Sequence, residues 1–345
     1  MFEPAPFNPR RAALVAPVRV DRTGRAGPTP GQARGPHWRT TSFGFHVPAI
    51  AVPKGDQRTV EAAAILREGE AVTGWAALHW QGAAWFDGTA NGGRPRDVPI
   101  VVGRHVAAQP GFRISREFLA PYDILVIDGV PITQSVRSVI FEMRYAAHQA
   151  AAVRALDMAC FSDLVTLVEV GAFLAAAGPI TGIQQARDAL AEGDENAWSP
   201  RETDMRGVWT RRAGLPRPLC NAPIFTLDGR HVGTADLIDP ALGIAGEYNG
   251  SLHLSGSQVA KDLKKEASFR DLGLETITMV AADSGDLDDF ARRLRSAAAR
   301  AASRTTAPGW TVETPDWWTP TATVAQRRAL ADWQREKFLR YRRAA

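Results

Sequence analysis

The sequence predicts a mixed α/β (α+β) chain of two domains, and three observations carry that expectation. At 345 residues, 45% of them apolar, the chain is long enough for two buried cores. Runs with a helical apolar period alternate with short strand-like runs from residue 59 to residue 302. The stretch His231–Gly250, HVGTADLIDPALGIAGEYNG, reads as a β-hairpin, because two apolar runs flank the turn-forming Asp239-Pro240-Ala241-Leu242-Gly243.

Taken in order, residues 1–58 are rich in Pro, Gly and Arg with little periodicity, so a basic arm is expected whose first ~35 residues are poorly ordered. FGFHVPAIAV within it is a strand candidate. Residues 59–193 read as a smaller mixed α/β domain. Thr59 is placed to cap a helix through EAAAILREG, and Thr73 one through GWAALHWQGAAWF. Strands are expected at VPIVVG, FRISREF and DILVIDG. Val130-Pro131-Ile132-Thr133 then opens four helices, SVRSVIFEMRYA, AAVRALDMAC, LVEVGAFLAAAG and IQQARDALAEG. His79 and Trp80, among aromatic neighbours on a helix, are read as core packing.

Residues 194–302 form the second domain. A helix bearing Arg and Glu (SPRETDMRGVWTRRAG) leads to a strand (APIFTLDG), then to the hairpin. A Lys-rich helix (SQVAKDLKKEASFRDLG), an apolar strand (LETITMVAA) and a last helix (LDDFARRLRSAAARA) follow. Residues 303–345 are a Thr/Pro-rich connector carrying Trp310, Trp317 and Trp318, then a basic helix with a capping box at Thr323 and Gln326. Leu330, Trp333 and Phe338 are positioned to dock that helix, its arginines facing outward. The connector tryptophans either pin the connector to the body or stack on nucleobases.

Composition excludes several classes. A net charge of +4 is far from histone-like. The charge is uneven, however: residues 1–58 carry nine Lys/Arg against three acids, and residues 327–343 seven against two. Basic ends suit either phosphate backbones or plain solvation. Two distant cysteines without a CxxC speak against structural zinc. No apolar run approaches the ~18 residues of a membrane span, and MFEPAPFNPRR lacks a signal peptide's apolar core, so a cytoplasmic protein is expected. Phosphate-loop, GxGxxG and GxSxG motifs are absent from the sequence.

The hairpin carries the chemistry. With the turn centred on Ala241-Leu242, Asp236 lies directly opposite Glu247, and strand alternation puts Asp236, Glu247 and Asn249 on one face. Like charges directly opposed are destabilising, and a divalent cation held by carboxylate oxygens offsets that. The alternative is a slipped register with both acids in water. Glu202 is a third acid. Ser199 as N-cap and Pro200 as first helical residue make it the closing member of a capping box, a complete structural role. Yet it shares the apolar face with Met205, Trp209 and Ala213, where it can meet the hairpin acids. Glu195 is the runner-up.

Several ordered phrases resemble the very-short-patch-repair-like endonuclease domains of the PD-(D/E)xK superfamily: S-P-R-E-T at 199–203, A-D-L-I-D at 235–239, E-Y-N-G at 247–250, His253, and D-L-K-K at 262–265 before Leu272-Gly273. The resemblance covers about residues 195–300. It implies a restriction-endonuclease-like core, a central mixed sheet flanked by helices, with Asp236, Glu247 and Glu202 holding Mg²⁺ or Mn²⁺. V-T-G-W-A-A-L-H-W-Q-G at 72–82 and D-G-V-P-I-T…R-S-V-I-F-E at 128–142 resemble abortive-infection antitoxin (AbiEi-like) families. That likeness implies a recognition or regulatory module, and with it a partner protein.

The sequence departs from the superfamily at Asn249, where lysine is usual and this branch often has Asp. A neutral amide holds a water but takes no proton; His253, Gln258 or Lys261 are the substitutes within reach. Lys261 and Lys265, one turn apart, would line one wall of a groove, and Arg206, Arg211 and Arg212 the other, with DNA or RNA between them. Two functions follow: a metal-dependent DNA nuclease serving phage defence or repair, or an antitoxin-like DNA-binding regulator that keeps the nuclease fold without catalysis.

Overall fold

The computed structural model describes residues 6–90, 92–250, 256–305 and 307–344, with the side chains of 256–262, 343 and 344 left undescribed. The chain divides into two compact units, Met1–Ala146 with Glu169–Arg187, and Ala147–Val168 with Asp188–Ala345.

In the first unit, β1 (Pro6–Asn8) and β2 (Arg11–Val15) form a ribbon. β3 (Val18–Arg19), β4 (Trp38–Ser42) and β5 (Phe45–Pro48) make a three-stranded antiparallel sheet, with the short α1 (Pro30–Ala33) before β4. The expected disorder of the first ~35 residues is therefore not what is found from residue 6 onward. Side-chain anchors replace the missing periodicity. Arg11 lies over the Trp80 ring and pairs with Asp128 at 2.9 Å. Asp21 accepts three backbone N–H groups, from Thr23, Arg25 and Ala26.

α2 (Gly55–Ala63) starts before the expected Thr59, whose hydroxyl instead donates to the Gly55 carbonyl inside the helix. Then come β6 (Ala71–Val72), α3 (Gly74–Trp80), β7 (Val98–Val101), β8 (Phe112–Ser115), β9 (Ile124–Ile127), β10 (Val130–Thr133) and α4 (Ser135–Arg144); Thr73 stands at the N-cap of α3, but its hydroxyl bonds that of Thr133 at 2.7 Å rather than capping the helix. The five strands order β8-β7-β6-β10-β9 as a mixed sheet. Trp75, Leu78, Trp80, Ile100 and Ile132 are fully buried, so Trp80 is core as its sequence context implies.

Of the next three helices, α5 (Gln149–Phe161) belongs to the second unit, while α6 (Leu167–Ala176) and α7 (Ile183–Glu192) straddle the division. The boundary is not the single cut near residue 194 that composition suggests. α8 (Pro200–Gly207) runs on through a π-helical turn, Val208–Arg212. β11 (Leu219–Thr226), β12 (His231–Asp239) and β13 (Ile244–Asn249) are antiparallel neighbours. α9 (Gly256–Asp271) crosses over to β14 (Glu275–Val280), parallel to β13, and α10 (Leu287–Ala302) follows. β15 (Trp310–Thr311) adds to β11, giving the order β14-β13-β12-β11-β15.

Two cores flank this sheet. Met205, Trp209, Leu237, Phe290 and Leu294 fill the side covered by α8 and α10; Ala245, Phe269, Leu274 and Trp310 fill the side covered by α9. Gly246 is required by close approach: a Cβ there would sit 3.0 Å from the Trp209 ring. Truncating Trp209 would cost about 3–5 kcal/mol at such a site.

The C-terminal helix is broken, into α11 (Val324–Arg328), with the expected Thr323–Gln326 box, and α12 (Asp332–Phe338). Its arginines do not all face outward. Arg327 is 1% exposed and pairs with Asp163 at 2.7 Å, and Arg342 reaches the same carboxylate, so an inward ion-pair cluster docks the tail. Trp333 is exposed rather than docked. Trp310 is buried, whereas Trp317 is exposed beside Phe225 and Trp318.

Candidate functional site

The site is built from α8 upward. Ser199 has the extended backbone of an N-cap and its Oγ accepts the Glu202 N–H at 3.2 Å; Pro200 opens the helix. Only half of the expected capping box forms. The Glu202 carboxylate accepts the N–H of Trp198 at 2.7 Å, one residue beyond the cap. Met205, Trp209 and Ala213 are buried on the shared face, and Glu202 itself is 7% exposed.

The hairpin register agrees with the spacing argument. Leu237 pairs with Gly246, Ile238 with Ala245 and Asp239 with Ile244, and Asp239 closes the turn by accepting the N–H groups of Ala241 and Leu242. One step further Asp236 would face Glu247, but the paired ladder stops at Leu237 and Gly246. The strands fork there. Asp236 Oδ2 accepts the backbone N–H of Tyr248 at 2.7 Å. Lys265 from α9 enters the fork, its ammonium 2.5 Å from Glu247 Oε2 and 3.4 Å from the Thr234 carbonyl.

Simple alternation does not describe the fork. Cys220 and Leu237 pack in the core under α8 and α10, while Ala222 and Ala235, two residues away on the same strands, pack in the core under α9. The faces exchange at Asn221 and Asp236, where Asn221 takes a left-handed backbone, φ 44°. The expected common face for Asp236, Glu247 and Asn249 is thus interrupted, and Asn249 is exposed at the end of β13.

Burial raises the Glu202 carboxyl to about 7, the negative charge of Asp236 adds to that, and the N–H donors of Trp198 and Asn221 oppose it. So Glu202 and Asp236 are electrostatic neighbours, while Glu247 is held by a lysine. Two mutually repelling oxygen-donor groups, one of them buried, match the preference of a hard divalent cation. Among the described residues no group of three or more His, Cys, Asp or Glu is close enough to hold a metal ion.

The other sequence candidates fall in different places. Arg206 is 3% exposed and buried against Asp157 at 2.7 Å and the Glu192 carbonyl, so it supports the core rather than a groove wall. Arg211 and Arg212 are at the surface, paired with Glu192 and Asp288. Glu195 accepts the backbone N–H groups of Leu167 and Val324, a structural role. His253 lies outside the described residues. Gln258 and Lys261 are on α9, with side chains outside the described set. Burial pushes both thiols, Cys160 and Cys220, far up, which suits inert packing. Sequence reasoning missed Asn221, and it assigned Lys265 to the groove wall rather than to Glu247. The D-L-K-K phrase held the signal for Lys265; nothing in the run LCNAPIF marks Asn221.

No protein-family model, curated protein or solved structure matches this chain. No helix among the described residues is long and apolar enough to cross a membrane.

Proposed function

We propose that the second unit is a metal-dependent nuclease of the PD-(D/E)xK type that hydrolyses DNA phosphodiester bonds, RNA being the variant substrate. The observation that carries this reading is the fork itself: an acid on each of β12 and β13, a lysine between them from α9, and a buried acid from α8 whose proton affinity the first acid raises. The order helix, three antiparallel strands, helix, parallel strand, helix supports it as a restriction-endonuclease-like core.

Asp236 and Glu202 would hold Mg²⁺ or Mn²⁺, with Glu247 beside them. When bound, such an ion supplies Lewis acidity at a phosphoryl oxygen and lowers the pKa of water. Lys265 takes over what Asn249 cannot do: its ammonium, already placed by Glu247 and Thr234, faces the charge that grows on phosphate. Glu202, whose carboxyl is raised to about 7 without the ion, would give up its proton on binding it, so metal binding would tighten as pH rises. Arg211 and Arg212 are the surface cations on α8's extension that would meet the phosphate backbone. The first unit would serve recognition of target or partner.

One observation favours a second reading. Glu247 is already neutralised by Lys265, and the lysine position of the superfamily is Asn249. A binder without catalysis, regulating as an antitoxin does, would tolerate both. The experiment is nicking of supercoiled plasmid, and cleavage of RNA, over a metal series. The nuclease reading expects Mg²⁺- or Mn²⁺-dependent cleavage that Asp236→Asn abolishes while the fold is kept. The regulator reading expects salt-dependent DNA binding indifferent to metal and to Asp236→Asn.

A further inference from the structure

Asn221 stands third in β11, between Cys220 and Ala222, both of which pair with β12. Those flanking pairs, Cys220 with Leu237 and Ala222 with Ala235, put Asn221 directly across from Asp236. Its φ of 44° is the left-handed region, which non-glycine residues occupy at a cost and which clusters at functional sites. The surroundings fix its amide. The Nδ2 group donates to the Asn196 carbonyl at 2.8 Å and to Glu202 Oε2 at 2.6 Å. Asn196 in turn donates to the Cys220 and Asn221 carbonyls, so this segment clamps the outer edge of β11.

With both amide hydrogens committed, the orientation of the group is set, and Oδ1 is the atom left over. That oxygen is buried, on a residue 4% exposed, and no hydrogen-bond donor among the described residues reaches it. An acceptor enclosed without a donor is costly, and native proteins retain one where a water, an ion or a ligand completes it. Here the orphan oxygen belongs to a residue touching Glu202 and facing Asp236. Carbonyl oxygens of Asn are ordinary neutral ligands of hard divalent cations.

We propose that Asn221 is a ligand of the divalent cation at the fork: its amide nitrogen positions Glu202, and its side-chain carbonyl completes an oxygen set with Glu202 and Asp236. This rests on the metal-site reading above and adds a neutral donor from a third strand. It also explains why three acids need not converge. A neutral ligand adds no further negative charge beside the two carboxylates.

The test is Mn²⁺ binding measured by electron paramagnetic resonance or calorimetry on the full chain, without substrate. Asn221→Gly suits the left-handed backbone and removes the side chain, losing the two amide hydrogen bonds but adding no backbone strain. Asn221→Asp keeps one oxygen donor but cannot donate to Glu202. The expectation is that wild type binds, that Asn221→Gly, shown by circular dichroism to be folded at the assay temperature, binds at least tenfold more weakly, and that Asn221→Asp binds as tightly as wild type or more so. Equal binding by Asn221→Gly, with Asp236→Asn abolishing binding, overturns this inference and leaves the nuclease reading standing. Equal weakening in the Gly and Asp variants also overturns it, because it assigns Asn221 to positioning alone. Absence of binding by wild type overturns both.

Discussion

Buried carboxylates are handled in two different ways in this molecule. In the first unit, Glu61, Glu70 and Glu142 are each enclosed beside an arginine: Arg39 at 2.6 Å, Arg104 at 3.1 Å and Arg96 at 2.6 Å. Asp157 in the second unit follows the same pattern with Arg206. Glu202 does not. It is as buried as those acids, yet its hydrogen-bond donors are neutral and its charged neighbour is Asp236. An arginine-paired acid is structural, whereas an acid buried beside another acid stores repulsion that a bound cation relieves.

The largest expected effect comes from breaking a structural pair. Arg206→Ala leaves Asp157 charged and enclosed, and should cost about 3–5 kcal/mol of unfolding free energy in urea. Little change would show that the pair is not what holds α5 to α8. Next is Glu202→Gln, which keeps the shape and both hydrogen-bond acceptor contacts. Because the carboxyl is raised from 4.5 to about 7 in the folded state, its contribution to stability is fully present below pH 4.5 and is lost as pH rises through 7. The variant should therefore match wild type near pH 4 and exceed it near pH 8 by on the order of 3 kcal/mol. A structural acid would show the reverse ordering.

A smaller shift is expected from Asp236→Asn, which removes the second cause of the raised carboxyl but not burial. Its Glu202 titration, followed by NMR, should move down while staying above 4.5. Smallest is Arg212→Ala: an exposed pair with Asp288 is worth no more than ~1 kcal/mol to stability, and if the proposed DNA contact holds, the variant lowers the salt dependence of binding as well.

How much of this the sequence discloses depends on whether the cause is local. The alternation of helices and strands from residue 98 to 302, the hairpin with its turn at Asp239, and the Ser199–Pro200 helix start are written in periodicity and turn chemistry, and the structure contains them. Glu202's apolar face is equally legible. Tertiary chemistry is not. Nothing near Arg206 announces that its partner is Asp157, 49 residues earlier, and nothing near Asp163 announces Arg327 and Arg342. Those pairs turned two groups of arginines from outward to inward. The exchange of faces at Asn221 and Asp236 breaks the period-two rule on which the common face of Asp236, Glu247 and Asn249 depended. Residues 1–58 lack periodicity because ion pairs and an Asp-capped loop, rather than an apolar stripe, hold them.

A divalent cation bound between Glu202 and Asp236 would offset the repulsion that burial imposes on the two acids. The most direct test is unfolding free energy against pH with and without Mg²⁺. With a cation site there, Mg²⁺ adds stability at pH 8, where both acids are charged, and little at pH 4, where protons already occupy Glu202. Equal unfolding curves with and without Mg²⁺ or Mn²⁺ at pH 8 would contradict it.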